Sequence, residues 1–243
     1  MKQRSLFRKA LFYISGPRCI GCDIPLDIGD QAFCPECSFN FKEKLTRNCS
    51  LCARPLLECD CAHPFLSEHF VKRLYKCLRY NGKDEDNLSA ALIYSLKTRP
   101  RWDIYDFAFD LLERSLRNSK EDFSSWIFTN VPRRRSAKVK YGVDQSQRIA
   151  KAMAKRFGAK YISFLSSKSK KEQKRLTREE RLENADFVLK RNGASSVDKV
   201  LIFDDIVTTG ASMGKAAALI RSLGIKEIRG AALAIAYPDQ IKK

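Results

Sequence analysis

The run Val200-Leu-Ile-Phe-Asp204-Asp205-Ile-Val-Thr208-Thr209-Gly210-Ala-Ser212 constrains the fold of this chain more than any other stretch. Its four leading apolar residues, Val200 to Phe203, read as a buried strand of a parallel sheet. Two adjacent acids follow at the C-terminal end of that strand, where open α/β sheets bind their ligands. A loop of small residues then runs into a helix over Ala211 to Leu223, closed by Gly224. Gly210 lets the backbone approach a ligand closely. The hydroxyls and free N–H groups of such a helix start favour a phosphate. The paired acids can accept from two ribose hydroxyls or hold Mg(II). The plain alternative is a capped helix after a strand with surface acids, but the strand, acid pair and Thr-Thr-Gly together argue against it.

The remaining segments alternate in kind. Trp126 to Val131 reads as a short buried strand ending at Pro132, and Tyr161 to Leu165 as another. Residues 187–191 suggest an edge strand, and Ile228 to Tyr237 a final one. Helical spacing marks 84–98 and 103–118, separated by Pro100, and Asp144 to Phe157, stopped by Gly158. Val71, Leu74, Tyr75 and Leu78 also fall at helical spacing, which predicts a short helix over Phe70 to Tyr80 before an Asn81-Gly82 turn. Strands alternating with helices predict an α/β fold with a mostly parallel sheet and helices on both faces.

Eight of the nine cysteines lie between positions 19 and 61. Cys19, Cys22, Cys34 and Cys37 form one set of paired thiols, and Cys49, Cys52, Cys59 and Cys61 a second with a tighter last gap. Two-residue gaps let both sulfurs of a pair point at one ion, and Zn(II) is the usual ion for four thiolates in a reducing compartment. His63 could replace a thiolate in the second set, and a single site drawing on both sets is a further arrangement. A secreted disulfide scaffold fits poorly, because no export signal precedes the cysteines. The expected role is structural, since so few large apolar side chains cannot build a core alone. Cys77 reads as a small buried hydrophobe. The expected division is 1–65 for an N-terminal helix and Cys module, and 66–243 for the α/β domain.

Lys and Arg number 46 against 28 Asp and Glu, a net charge of +18. Residues 131–190 hold 18 basic and 6 acidic residues, two thirds of that surplus. A charge of this size implies a polyanionic partner or ligand, although a solvated basic face is the bland reading. Within this segment, Phe157, Tyr161 and Phe164 are spaced as core residues. Residues 166–186 are nearly all polar and read as a loop. No apolar run reaches the roughly 20 residues of a membrane span. Met1 to Ile14 reads as a short amphipathic helix rather than a signal peptide, so a cytoplasmic location is expected.

The 200–212 run is similar to the phosphoribosyl-pyrophosphate (PRPP) signature of type I phosphoribosyltransferases. Four Cys pairs come first, then Leu78-Arg79-Tyr80-Asn81-Gly82, Val131-Pro132 and Gly142-Val-Asp-Gln145. Gln173, Leu176, Arg178, Arg181 and Asn184 follow. In this order the motifs resemble the ComF family (ComFC-like), the cytoplasmic competence proteins of bacteria, over about 19–237. The resemblance implies a type I phosphoribosyltransferase-like fold with an N-terminal zinc module. It implies that Asp204 and Asp205 contact the ribose hydroxyls of PRPP, and that Thr208, Thr209, Gly210, Ala211 and Ser212 cradle its 5-phosphate. It makes Val131, Pro132, Arg133 and Arg134 the pyrophosphate loop, residues 167–185 a closing loop, and Mg(II) a companion of PRPP. It implies single-stranded DNA as a partner during natural transformation, with other competence proteins. The basic segment suits that, through Lys168, Lys170, Lys171, Lys174 and Arg175. Two departures stand out: family members often carry Gly-Phe-Asn-Gln at 142–145, and the last Cys pair is one residue short. The sequence shows no base-recognition element. The expected function is therefore PRPP binding linked to DNA handling, and the alternative is an active transferase moving ribose-5-phosphate from PRPP to a small acceptor base.

Overall fold

Residues 16–27, 29–80, 88–98, 101–133, 144–167, 187–190 and 198–236 are described by a computed structural model. They form strands β1 (Val71–Arg79), β2 (Ile127–Asn130), β3 (Lys160–Tyr161), β4 (Leu165–Ser167), β5 (Phe187–Leu189), β6 (Lys199–Val207) and β7 (Glu227–Ile235). The helices are α1 (Pro35–Leu45), α2 (Pro64–Glu68), α3 (Leu88–Thr98), α4 (Trp102–Asn118), α5 (Gln145–Arg156) and α6 (Ala211–Arg221). A 3-10 turn covers Leu56–Glu58.

Five strands make one sheet in the order β1-β7-β6-β2-β3. Every neighbouring pair is parallel. Two cores follow from the alternation of β6. Leu201 and Phe203 face α4 and α5, packing with Phe128, Ile149, Met153, Leu112 and Tyr75. Val200 and Ile202 face α6, packing with Ile127, Met213, Ala216 and Ile220. Helices thus cover both faces, as near-continuous apolar strands require. Phe164 is fully buried, and Phe157 and Tyr161 pack against the first core, as their spacing predicts. No described helix is long and apolar enough to cross a membrane.

The expected helix over Phe70 to Tyr80 is instead strand β1. A strand covered on both faces loses its period of two, and the apolar positions then mimic helical spacing. Tyr75, Cys77 and Leu78 pack in one core and Val71 and Leu74 in the other, so five consecutive residues, Leu74 to Leu78, are buried. Cys77 is a buried small hydrophobe, as read from sequence. The expected strand Tyr161 to Leu165 is split. Lys160–Tyr161 pairs with β2, while Leu165–Ser167 leaves the sheet and pairs antiparallel with Phe187–Leu189. The strand read as Val200 to Phe203 extends to Val207, so both acids lie inside the strand, ahead of its last two residues. Met1 to Ile14, the Asn81-Gly82 turn, Pro100 and residues 168–186 of the basic loop lie outside the described residues.

The cysteine segment closes the open edge of the sheet. Leu74 N–H donates to the Asp60 carbonyl at 2.9 Å, and Cys61 forms an antiparallel bridge with Arg73. An exposed strand edge invites pairing with other chains, and this contact covers it. Farther along the chain, the Arg101 guanidinium donates to the Arg18 carbonyl.

Gly230 lies where β7 meets side chains of α6 and β1. A Cβ there would sit 2.6 Å from Met213 Sδ and 2.9 Å from Leu74 Cδ1. Gly230→Ala is expected to destabilise by about 1–3 kcal/mol through overpacking, read as a lower Tm in calorimetry. An unchanged Tm would mean that α6 can move off the sheet without cost.

Candidate functional site

The chain leaves β2 toward β3 on one side and leaves β6 toward β7 on the other. The strand order therefore reverses between β2 and β6, and a crevice opens at their C-terminal ends. Val131–Arg133 extends from β2 into this crevice, and Val131 N–H still donates to the Phe203 carbonyl at 2.9 Å. Asp204 and Asp205 reach it from β6.

Each acid is held differently. Asp204 Oδ1 accepts the Ser146 hydroxyl at 3.0 Å and the Asp205 N–H at 2.9 Å. Asp205 Oδ1 accepts the Ile206 N–H at 2.9 Å. Its other oxygen meets Lys97 Nζ at 3.1 Å and the Arg133 guanidinium at 3.7 Å. Burial, and then the neighbouring Asp205 charge, push the Asp204 carboxyl well above the usual carboxylate range, against the pull of Ser146.

The cations are positioned by the start of α5. Asp144 is its N-cap: Oδ1 accepts the Gln147 N–H at 3.2 Å and Oδ2 accepts the Arg133 N–H at 3.2 Å. The Arg133 guanidinium donates to Gln145 Oε1, and Gln145 Nε2 donates to the Leu96 carbonyl at 3.2 Å, tying in α3. Behind Val131, Asn130 accepts the Tyr161 hydroxyl at 2.7 Å.

On the other side of the acids, Gly210 is the N-cap of α6, with φ +83° and no side chain to offer the first turn. Thr209 Oγ1 accepts the Ala211 N–H at 3.3 Å, and Thr208, Thr209 and Ser212 are exposed. This is a helix start open to an anion. The loop rests on α2: a Cβ at Gly210 would lie 2.9 Å from Leu66 Cγ, and one at Gly214 3.1 Å from Phe65 and His69.

Sequence reading placed Asp204, Asp205, Val131 to Arg133 and 208–212 at this site, and the fold brings them to one crevice. Arg134, Lys168, Lys170, Lys171, Lys174 and Arg175 lie outside the described residues, as do Gln173, Leu176, Arg178, Arg181 and Asn184. Sequence reading missed Lys97, Ser146 and the working role of Asp144. An N-cap acid before the Ile149–Met153 period was a usable signal for Asp144. Lys97 carries no such signal, because the contact depends on how α3 crosses the sheet.

The eight thiols form two separate groups, Cys19, Cys22, Cys34, Cys37 and Cys49, Cys52, Cys59, Cys61. Within each, the sulfurs lie within 4.8 Å of one another and could hold a metal ion. Neither a mixed site nor a His63 ligand is needed; His63 caps α2, with Nδ1 accepting the Phe65 N–H at 3.3 Å. The first pairs of the two groups share one local structure thirty positions apart. Cys19 N–H donates to the Ile24 carbonyl and Cys49 N–H to the Arg54 carbonyl, both at 2.8 Å. Asp23 and Ala53 both take positive φ, at 63° and 57°. Burial raises the Cys19 thiol, but the N–H groups of Cys22, Cys34 and Gly21 outweigh it and draw it down to about 7. Cys52 falls to about 6, mainly through the Arg54 N–H. Lys76, fully buried in β1, donates to Cys59 Sγ at 3.1 Å and to the Cys61 carbonyl at 2.9 Å. This lysine hides in an apolar-looking stretch and was not anticipated.

Residues 144–243 match the family model described as a phosphoribosyl transferase domain, beginning at the cap of α5 and including both acids and the 208–212 loop. The crystal structure of a purine phosphoribosyltransferase from Pyrococcus horikoshii Ot3 is 22% identical, covers 55% of this chain and 74% of its own, and has a TM-score of 0.34. Residues 144–243 therefore resemble a phosphoribosyl transferase domain, in a chain with a mostly parallel α/β sheet and a Cys-rich N-terminal cluster. Competence protein ComFC of Streptococcus pneumoniae (strain ATCC BAA-255 / R6) is 22% identical over 205 residues, 82% of this chain and 86% of that protein. Over most of its length the chain is thus similar to that competence protein.

Two outcomes follow from the geometry. Elemental analysis by mass spectrometry should give two divalent ions per chain, falling to one when Cys52 and Cys61 become Ser; one ion in the unaltered protein would contradict two separate sites. Because the folded pKa of Asp204 is raised, its ionised form subtracts stability at neutral pH, and the deficit fades as pH falls below that pKa. Asp204→Asn should therefore raise Tm at neutral pH by about 2–4 °C, roughly 1 kcal/mol for a chain of this size, and the gain should vanish in acid. A gain of equal size at both pH values would show that burial of the charge is not its source.

Proposed function

We propose that this protein binds PRPP in the crevice between β2 and β6 and uses that binding in handling single-stranded DNA during natural transformation. The observation that carries the PRPP reading is the pair Asp204–Asp205 at the strand-order reversal, flanked by the Val131–Arg133 segment and the open start of α6. The ComFC likeness and the +18 charge support the DNA half of the reading. Zn(II) suits both thiol groups, as four sulfurs within bonding reach of one centre are its usual structural set. There it would hold the loops of residues 19–61 together.

The residues divide the work by charge. The N–H groups and hydroxyls of 208–212 receive the 5-phosphate. Asp204 and Asp205 accept the ribose hydroxyls. Lys97 and Arg133 rest on Asp205 and turn to the diphosphate when PRPP arrives, which frees the Asp205 oxygen for the sugar. With Asp205 already met by two cations, the acids are a poor site for a lone divalent ion. Mg(II) is carried by the diphosphate, where it neutralises charge.

Calorimetry with PRPP and Mg(II) tests this. Asp204→Ala with Asp205→Ala should abolish measurable binding, and Arg133→Ala should weaken it about 10–100-fold, the range for a lost charge-assisted contact. Unchanged affinity in the double variant would overturn the reading. Added PRPP should also shift the affinity for single-stranded DNA. The transferase alternative gains from one observation: Tyr94 is 63% exposed one turn before Lys97, where its ring could stack a base. Pyrophosphate release in an acceptor screen, lost in Tyr94→Ala, would favour turnover over binding alone.

A further inference from the structure

A second charged surface lies at the other end of the sheet. At the N-terminal ends of β1 and β7, Phe70, Lys72, Arg73, Arg221, Lys226 and Arg229 line a groove of about 520 Å³. Five of these are cations, and Glu227 is the acid among the lining residues. Ala232 pairs with Asp204, so Glu227 lies five residues up β7 from the acid pair. At about 3.3 Å per residue the two sites are about 17 Å apart along the strand.

The cations differ in freedom. Arg229 is buried and committed to Glu227, Glu121 and the Tyr75 hydroxyl. Arg73 shares Asp60 with Arg54 at 3.5 Å, and Lys226 meets Asp198 at 3.0 Å in a largely exposed pair. Arg221 donates to the carbonyls of Ile225 and Lys226 and makes no ion pair among the described residues. Nor does Lys72, which is exposed. Surface pairs of this kind open at little cost.

Phe70 is the unusual member. It is 47% exposed, and its φ of +71° lies in the left-handed region, which is costly for a bulky side chain. Its ring lies 5.6 Å from the Arg221 guanidinium. It follows the C-cap of α2, where a left-handed residue ends the helix and turns the chain into β1. A glycine would serve that turn without strain, and the phenylalanine found there sets a half-exposed aromatic face among cations.

We infer that this groove binds single-stranded nucleic acid, with phosphates on Lys72, Arg73 and Lys226 and a base stacked on Phe70. Cations alone would serve any polyanion. The aromatic face selects a strand whose bases are unpaired. The inference rests on the nucleic-acid half of the proposed function and assigns its interface to described residues far from the PRPP crevice.

Fluorescence anisotropy with a labelled oligothymidylate and an abasic oligonucleotide of equal length tests it in the full-length protein. The unaltered protein should bind the oligothymidylate more tightly. Phe70→Gly should erase that preference and weaken oligothymidylate binding about 5–100-fold, the range for a lost stacking contact. Its Tm should hold or rise, because glycine accepts φ +71°. Lys72→Glu with Lys226→Glu should weaken both oligonucleotides and flatten the salt dependence. PRPP affinity should be unchanged in all variants. Normal DNA binding by both variants would remove the groove as the interface and leave the proposed function standing. Equal binding of the two oligonucleotides by the unaltered protein would remove the stacking role. If the unaltered protein bound neither at low salt, the DNA half of the proposed function would fall, and this inference with it.

Discussion

Lys76 joins the second thiol group to the parallel sheet. Its ammonium is fully buried and donates to the Cys59 sulfur and to the carbonyls of Cys59, Cys61 and Leu74. An isolated buried ammonium costs several kcal/mol, and only close acceptors can offset that. Three of the four acceptors come from the thiol group, so a positive charge in the sheet's edge strand is matched by the Cys59 sulfur and the carbonyls of Cys59 and Cys61. The contact holds residues 59–61 along β1 and closes the sheet's open edge. It also fixes the start of α2, whose Leu66 and Phe65 form the floor under Gly210 and Gly214. A thiol cluster near the N-terminus thereby supports a loop that lies one hundred and fifty positions later in the sequence.

Charge organises the crevice as firmly as packing does. Asp204 and Asp205 stand side by side, and repulsion is managed by giving them different partners. Asp205 receives two cations from separate elements, α3 and the segment after β2. Among the described residues, Asp204 receives neutral donors, and burial beside Asp205 drives it toward its protonated form. Such a pair is easier to keep empty than two bare carboxylates, yet its cations remain available to an incoming polyanion. The Asp144 cap serves both the helix and the Arg133 backbone, so the dipole of α5 and the cation stay in fixed relation.

The parallel sheet separates two kinds of surface. Its C-terminal strand ends carry acids, hydroxyls and helix starts. Its N-terminal strand ends carry the cations around Phe70 and the C-terminal end of α6. This polarity is a product of parallel pairing, because a helix that carries the chain from one parallel strand to the next starts at one end and finishes at the other, as α5 and α6 do.

From the amino-acid sequence alone came the strand-loop-helix run at 200–212, the helices around 103–118 and 144–157, and the grouping of eight cysteines. Each rests on local chemistry: period, caps, and thiols spaced to meet one ion. Local pattern misled at 70–80, where burial on both faces gave a strand the spacing of a helix, and at 161–165, where the chain changes sheets. Tertiary structure alone decided between the two expected thiol groups and a single mixed site, placed Lys76 buried against one group, and brought Lys97 and Ser146 to the acid pair. Those contacts join residues from 15 to more than a hundred positions apart, and the crossing of elements that makes them is set by packing rather than by any neighbouring residue.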